Sequence, residues 1–91
     1  MAIFVNQSLL TLNLDCNIDI SAASEVLILY RKPSGVEGQW VGAANVNLAT
    51  YDVQDGDLDE VGVWKIQPKV TIAGEVGYGE IKPMTVSSPI S

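Results

Sequence analysis

The clearest strand pattern in the chain is Trp64-Lys65-Ile66-Gln67-Pro68-Lys69-Val70-Thr71-Ile72. In an extended chain every second residue shares a face, and here one face carries the apolar set Trp64, Ile66, Pro68, Val70 and Ile72. This period of two predicts a half-buried β-strand. Because Pro68 has no N–H group for a β-ladder, we expect the strand to lie at the edge of a sheet or to be bulged there.

The rest of the chain shows the same kind of pattern in shorter pieces. Further strands are predicted over residues 10–14, with a short continuation at 18–20, and over 26–30, 39–45, 47–53 and 76–86, the last interrupted by Pro83. Residues 26–30 are almost wholly apolar, which predicts a strand buried on both faces. Within 47–53 we expect Leu48 and Tyr51 to be the core anchors.

The predicted fold class is all-β, an immunoglobulin-like antiparallel β-sandwich of about seven short strands, because turn signals recur about every ten residues. A small barrel is the main alternative. A chain of 91 residues corresponds to one domain. Residues 1–8 are predicted to be a docking arm or an edge strand, and residues 87–91 a mobile tail.

Composition narrows the function classes. The net charge of −6 argues against binding to nucleic acid or to an anionic membrane, which both need a basic face. There is no histidine, the commonest metal ligand and the usual general base. Cys16 is the only cysteine, so no internal disulfide or Cys-type zinc site is expected. Residues 1–10 have no signal-peptide pattern, so we expect synthesis in a cytoplasm.

Five of the eleven carboxylates lie in or beside one loop: Asp52, Asp55, Asp57, Asp59 and Glu60. Converging oxygens suit calcium, but the spacing does not match an EF-hand. Glycoside hydrolysis needs two carboxyl groups across a cleft, for which a chain this short has little room. We therefore predict a solvated loop with no metal, cofactor or catalytic role, with Leu58 inserted into the core. The chain is predicted not to be an enzyme.

Aromatic residues raise the possibility of a sugar-binding platform. Trp64 is in phase with Ile66, and Tyr30 closes an apolar strand, so both are predicted to lie in the core. For Trp40 and Tyr78 the sequence does not decide between the core and the surface. A carbohydrate-binding module predicts that these two are exposed together, whereas a structural protein predicts Trp40 packed in the core or against a neighbouring subunit.

Three segments are candidates for contacts with other proteins. The apolar run at residues 3–5 favours burial somewhere, and the basic pair at residues 31–32 could dock an acidic neighbour. The segment 77–82 has two glycines that would let another backbone approach, as in strand addition or a homo-oligomer. The predicted interface residues are Ile3, Phe4, Val5, Arg31, Lys32, Trp40 and Tyr78.

Four segments occur in an order that resembles a known family. They are Asp19-Ile20-Ser21-Ala22-Ala23, Leu29-Tyr30-Arg31-Lys32-Pro33-Ser34-Gly35, Asp57-Leu58-Asp59-Glu60-Val61-Gly62-Val63-Trp64, and Val70-Thr71-Ile72-Ala73-Gly74 leading into Gly79-Glu80. Together they resemble small tailed-phage structural domains similar to the N-terminal domain of the phage baseplate upper protein. In this chain Ala22 stands where glycine is usual, and Ser34 where aspartate is.

The resemblance implies an immunoglobulin-like module of a phage virion, assembled in the host cytoplasm and held by protein–protein contacts. It carries no catalytic residues. We therefore expect a non-enzymatic accessory component of the tail or baseplate, whose partners are other phage structural proteins. A capsid decoration protein bound to the major capsid protein is the close alternative, and a carbohydrate-binding adhesion module is a further one.

Overall fold

The computed structural model describes residues 3–88, which form nine strands in two sheets. The strands are β1 (Ile3–Phe4), β2 (Thr11–Asp15), β3 (Glu25–Arg31), β4 (Glu37–Val41), β5 (Ala43–Asn45), β6 (Leu48–Asp52), β7 (Gly62–Ile72), β8 (Glu75–Tyr78) and β9 (Lys82–Ser87). Over this range there is no helix that could cross a membrane. The start of the predicted arm (1–2) and the end of the predicted tail (89–91) lie outside the described residues.

The strand order is that of an immunoglobulin-like sandwich, as predicted. The larger sheet has the order β1-β9-β7-β3-β4, with β8 also paired to β7, and the smaller sheet has the order β2-β6-β5. In immunoglobulin domains strands B, E and D share one sheet and C, F and G share the other; β2, β6 and β5 take the first set of positions, and β3, β7 and β9 the second. Within residues 3–88 only the β1–β9 pair is parallel.

The prediction that Pro68 marks an edge or a bulge is wrong, since β7 is a central strand. It pairs with β3 along one side without a break in register, including Ile28 opposite Pro68. Along its other side it pairs first with β9 and then with β8. The Gly79 N–H donates to the Pro68 carbonyl at 3.0 Å, so the Pro68 nitrogen faces this second side too. The missing N–H group is tolerated because the Pro68 nitrogen faces the gap between β9 and β8.

Two predicted strands are each divided, which gives nine strands instead of about seven. Residues 39–45 form β4 and β5, because the chain crosses from the larger to the smaller sheet at Gly42. A Cβ atom at Gly42 would lie 2.7 Å from the Thr50 carbonyl oxygen, so the crossing requires glycine. Residues 76–86 form β8 and β9; the break falls before Lys82, and Pro83 lies inside β9.

Residues 18–20 do not continue β2 as a strand, contrary to the prediction. Ile20 is fully buried, whereas Ile18 is 57% exposed. The chain turns here, with the Asp15 carboxylate accepting from the Asn17 N–H at 2.8 Å and the Asp19 carboxylate accepting from the Ser21 N–H at 2.9 Å. These side chain–backbone bonds favour turns over a continued ladder.

A single hydrophobic core fills the space between the sheets. Its buried members are Leu10, Leu12, Leu14, Ile20, Val26, Ile28, Trp40, Ala49, Val53, Leu58, Trp64, Ile66, Val70, Met84 and Val86. The predicted core face of β7 and the inserted Leu58 are confirmed. In β6 the predicted anchor Leu48 is wrong: it is only half-buried, and Ala49 occupies the core position in phase with Tyr51.

Candidate functional site

Apolar and basic side chains collect on the outer face of the larger sheet, the face turned away from the core. In the ladder Leu27 lies opposite Val41 on one side and Lys69 on the other, and Lys69 lies opposite Tyr78. Residues paired in this way project from the same side of a sheet. These four side chains therefore form one row across β4, β3, β7 and β8, and "the outer face" below means this row together with Leu29 and Lys65.

Leu27 shows that this row is a packed surface. It is only 6% exposed, although it is not part of the core cluster, because its neighbours in β3, Val26 and Ile28, take the inward positions. Around it, Val41 is 76% exposed and Tyr78 is 61% exposed. A covered leucine with exposed apolar side chains beside it makes an apolar patch of the kind that marks protein contact surfaces.

The patch has a shallow hollow beside it. Leu29, Gln67 and Ile81 take part in lining a concavity of about 240 Å³, and Ile81 is 61% exposed. The Gln67 side-chain amide donates to the Gly79 carbonyl oxygen at 2.9 Å, which fixes one wall. The hollow is too small for most ligand pockets, which usually measure about 300–1,000 Å³, but it can receive one projecting side chain.

All five basic residues lie on the larger sheet or directly beside it: Arg31, Lys32, Lys65, Lys69 and Lys82. Three of them are paired within residues 3–88, as described below. Lys65 and Lys69 have no carboxylate within 4 Å in that part of the chain. The Lys69 ammonium instead lies 6.0 Å from the centre of the Tyr78 ring, a cation–π contact. Within the described part of this acidic protein, two cations thus stand on one apolar face without a paired carboxylate.

The predicted basic docking pair is occupied by internal ion pairs. Arg31 Nη2 lies 2.7 Å from Glu37 Oε2, and Lys32 Nζ lies 2.9 Å from the Asp59 carboxylate. The hydrogen bond that Lys32 donates to the Asp59 carboxylate raises the pKa of Lys32, and the same ammonium lies 5.7 Å from the centre of the Trp64 ring. The Lys32 side chain is only 16% exposed, so of the two residues only Arg31 remains available on the surface.

The acidic loop is bound to the sandwich by its own carboxylates. Asp57 accepts hydrogen bonds from the Tyr51 hydroxyl at 2.5 Å and from the Gln54 N–H at 2.7 Å. Glu60 accepts from the Ser34 hydroxyl at 2.8 Å. Burial, helped by the bond to Asp57, raises the pKa of Tyr51 well above its ordinary value. Residues 3–88 contain no group of three metal-binding side chains that could hold an ion.

Trp40 and Tyr78, the two aromatics that sequence left open, are not brought together. Trp40 is 7% exposed and stacks on Tyr51 inside the core, with ring centres 5.0 Å apart and planes 1° apart. Tyr30 packs on it at 4.5 Å. Trp40 is therefore a core residue and not a surface residue. Trp40 and Tyr78 do not form the flat pair of exposed rings that a sugar platform requires.

The apolar N-terminal run is an edge strand. Ile3 and Phe4 pair in parallel with the end of β9, and the Val5 N–H donates to the Ser87 carbonyl at 2.8 Å. Ile3 and Val5 pack against the core, whereas Phe4 is 37% exposed. Of the two predictions for residues 1–8, the edge strand fits the described part, and only Phe4 of this run offers a side chain outward.

The glycines of the 77–82 segment have an internal role. A Cβ atom at Gly79 would lie 2.5 Å from the Pro68 ring, so Gly79 is required for packing inside the β7–β8 hairpin. At Gly77 the nearest atom to a Cβ would be Val70 Cγ2 at an ordinary 3.8 Å. The surroundings of these two glycines therefore give no support to the prediction that they let a second backbone approach.

Sequence reasoning missed Leu27, Leu29, Val41, Lys65 and Lys69 as surface candidates. A signal was present for β3, because an unbroken apolar run places leucines on both faces of a strand. A second signal was the pair of lysines on the polar face of β7. What the sequence did not show is that both sets lie in neighbouring strands.

Comparison of the chain with protein-family models, with curated proteins and with solved structures finds no match. The outer face is therefore judged from its own geometry and charge.

Proposed function

We propose that the chain is a non-enzymatic structural protein that acts through protein–protein contacts made by its outer face, as an accessory tail or baseplate component of a tailed-phage virion. The observation that carries the binding role is the apolar row around Leu27 with Lys65 and Lys69 beside it, which have no carboxylate partner within residues 3–88. The virion assignment comes from the sequence resemblance.

The composition of the outer face supports a protein partner. Protein interfaces place aromatic and aliphatic side chains at the centre and charged groups at the rim. Here the covered Leu27 lies between Val41 and Lys69, and Tyr78 follows on the far side of Lys69. We infer that the partner surface is apolar with carboxylates at its edge, because Lys65 and Lys69 would then gain ionic partners on binding.

A capsid decoration protein is the second candidate, and it would use the same face. Both readings need a compact sandwich with one binding surface, so geometry favours neither. The carbohydrate-binding reading has less support, because Trp40 is buried against Tyr51.

The first test is mass spectrometry of purified phage particles whose genome encodes this chain, with heads and tails separated. Recovery with tails supports the tail or baseplate assignment. Recovery with heads replaces it with capsid decoration, and absence from both fractions contradicts a virion role.

The second test asks whether the outer face makes the contact. We expect the double variant Val41→Ser, Lys69→Gln to be incorporated into particles at least about tenfold less than the wild type, since two interface contacts are lost. The matched control is Val46→Ser in the β5–β6 turn, an exposed valine (61%) away from the outer face, which should be incorporated normally. Normal incorporation of the double variant would mean that the contact lies elsewhere.

A further inference from the structure

The smaller sheet ends in an open strand edge at β2. Among the strands of residues 3–88, this strand has a neighbour, β6, on one side only. The Val53 N–H donates to the Leu10 carbonyl and the Cys16 N–H donates to the Asn47 carbonyl, both at 2.8 Å. Along β2, the backbone groups of successive residues point alternately toward β6 and away from it, and these two bonds show which residues point toward β6. Leu12 and Leu14 therefore direct their backbone groups to β6. The N–H and C=O groups of Thr11, Asn13 and Asp15 point outward from the sheet.

Directly behind this edge the sandwich is open. A groove of about 640 Å³ runs between the two sheets, with Leu12 and Leu14 on one wall and Ile66 and Met84 on the other. Ile3, Asp15 and Lys82 also line it, and Lys82 is paired with Glu80 at 3.0 Å. These leucines, Ile66 and Met84 belong to the core cluster, so the groove, called the edge groove below, runs along the rim of the hydrophobic core. Apolar side chains placed there would complete the core.

The facing edge of the larger sheet cannot accept a strand in the same way. The Ser87 carbonyl accepts from Val5, so it points outward, and by the same alternation Thr85 and Pro83 also present their backbones to the outside. Proline has no N–H to offer there, a feature that blocks strand pairing at sheet edges. An added strand would therefore pair with β2 and only lie against β9.

Charge around β2 defines what such a strand would carry. The smaller sheet and the loops 53–61 and 16–24 hold no lysine or arginine. Asp15 is exposed at the open edge, and Asp52 lies opposite Thr11 one strand further in. A second copy of the chain fits poorly, because each copy has a net charge of −6 and would bring another Asp15 to the edge. A strand with basic residues on its outer face is complementary.

We propose that the edge of β2 binds an extended segment of a partner protein, with apolar residues at alternate positions and basic residues between them. Its backbone pairs with Thr11, Asn13 and Asp15, its apolar side chains enter the edge groove, and its basic side chains meet Asp15. This is strand addition, at a surface separate from the outer face, so it stands whether or not the outer face binds a virion protein.

The test uses a fluorescein-labelled peptide of sequence Lys-Val-Thr-Val-Lys-Val-Lys and the purified protein. Anisotropy should show saturable binding, and amide hydrogen exchange should slow at Thr11, Asn13 and Asp15. A peptide of the same composition with its valines adjacent should bind at least about tenfold more weakly, because the alternation that aligns backbone bonds with the groove is lost.

Two proline variants separate this edge from the β4 edge of the larger sheet. Asn13→Pro removes an outward N–H of β2 and should weaken binding about tenfold or more. Gln39→Pro is the matched control on β4, where the Gly42-to-Val26 and Lys32-to-Val36 bonds leave Gln39 facing outward in the same way; it should bind as the wild type does. If Asn13→Pro does not fold, the exchange measurement on the wild type decides.

Three results would overturn the proposal. Equal binding of the two peptides would show simple charge attraction. Equal weakening by both proline variants, or slowed exchange at β4 and not at β2, would place the peptide elsewhere. Slowed exchange at β2 that depends on protein concentration without peptide would show that a second copy is the occupant.

Discussion

The two faces of the central β3–β7 pair differ in what they contribute. Inward-facing Trp64 and Ile28 are fully buried in the core. Outward-facing Leu27 is almost as well covered, yet its ladder neighbour Val41 is itself 76% exposed, and on its other side lies Lys69. Equal burial therefore has two different causes in this protein. On the inward face a side chain is buried by a closed core, and on the outward face it is buried by a thin apolar layer that a partner can extend.

Trp64→Ala should have the largest effect on stability. Removing a fully buried tryptophan costs about 3–5 kcal/mol, which approaches the total stability of a small domain, about 5–15 kcal/mol. The variant also loses the indole N–H bond to the Glu60 carbonyl, 3.0 Å long. We expect a mostly unfolded or strongly destabilised protein, measured by urea denaturation with circular dichroism. A midpoint close to that of the wild type would contradict the description of the core.

Ile28→Ala and Leu27→Ala test the comparison directly, since the two residues are adjacent. Ile28→Ala should cost about 2–5 kcal/mol, because the surrounding core cannot close the cavity. Leu27→Ala should cost clearly less, about 1–2 kcal/mol, because water can enter beneath the exposed layer and the layer can relax. The free energies of unfolding from parallel urea titrations give the difference. Equal losses would mean that the outer face is a second closed core.

Tyr51→Phe should have a smaller effect that grows at alkaline pH. At neutral pH the variant loses the bond to Asp57, about 1 kcal/mol. The pKa of Tyr51 is raised in the folded protein, so above about pH 10 the unfolded chain binds fewer protons than the folded one. Wild-type stability should then fall as pH rises, and this component should be absent from Tyr51→Phe. Tyr78→Phe, at an exposed tyrosine, is the matched control for the removal of one phenol group.

Val41→Ser should have the smallest effect on stability, within about 0.5 kcal/mol, since Val41 is 76% exposed. A thermal unfolding curve superimposable on that of the wild type is the expected result. This outcome is what makes Val41 usable as a probe of partner binding. A large loss would show that Val41 is part of what holds Leu27 in place.

Much of the fold could be predicted from local pattern. Alternation in β7 identified its core face correctly, and the prediction that Leu58 enters the core from the acidic loop is confirmed. Pro68 and Gly42 were the points of failure. Whether a proline faces a gap between two partner strands, or a glycine marks a crossing between sheets, depends on pairings that are distant in the chain.

The candidate site was only partly predictable. Tyr78 and Arg31 were chosen from sequence and do lie on or beside the outer face, but Trp40 was open between core and surface until its stacking on Tyr51 was seen. Lys65 and Lys69 were assigned to the correct side of β7. Their importance depends on the position of Glu37, Asp59 and Glu80, the carboxylates that neutralise the other three basic side chains.

The parallel pairing of β1 with β9 has a mechanical consequence. When two parallel strands are pulled by force applied before Ile3 and after Ser87, they slide along each other, and the bonds between them are loaded together instead of opening one at a time. The Val5-to-Ser87 bond lies on this line of force. Tension along the chain therefore meets its first resistance at this short seam, before it reaches the core.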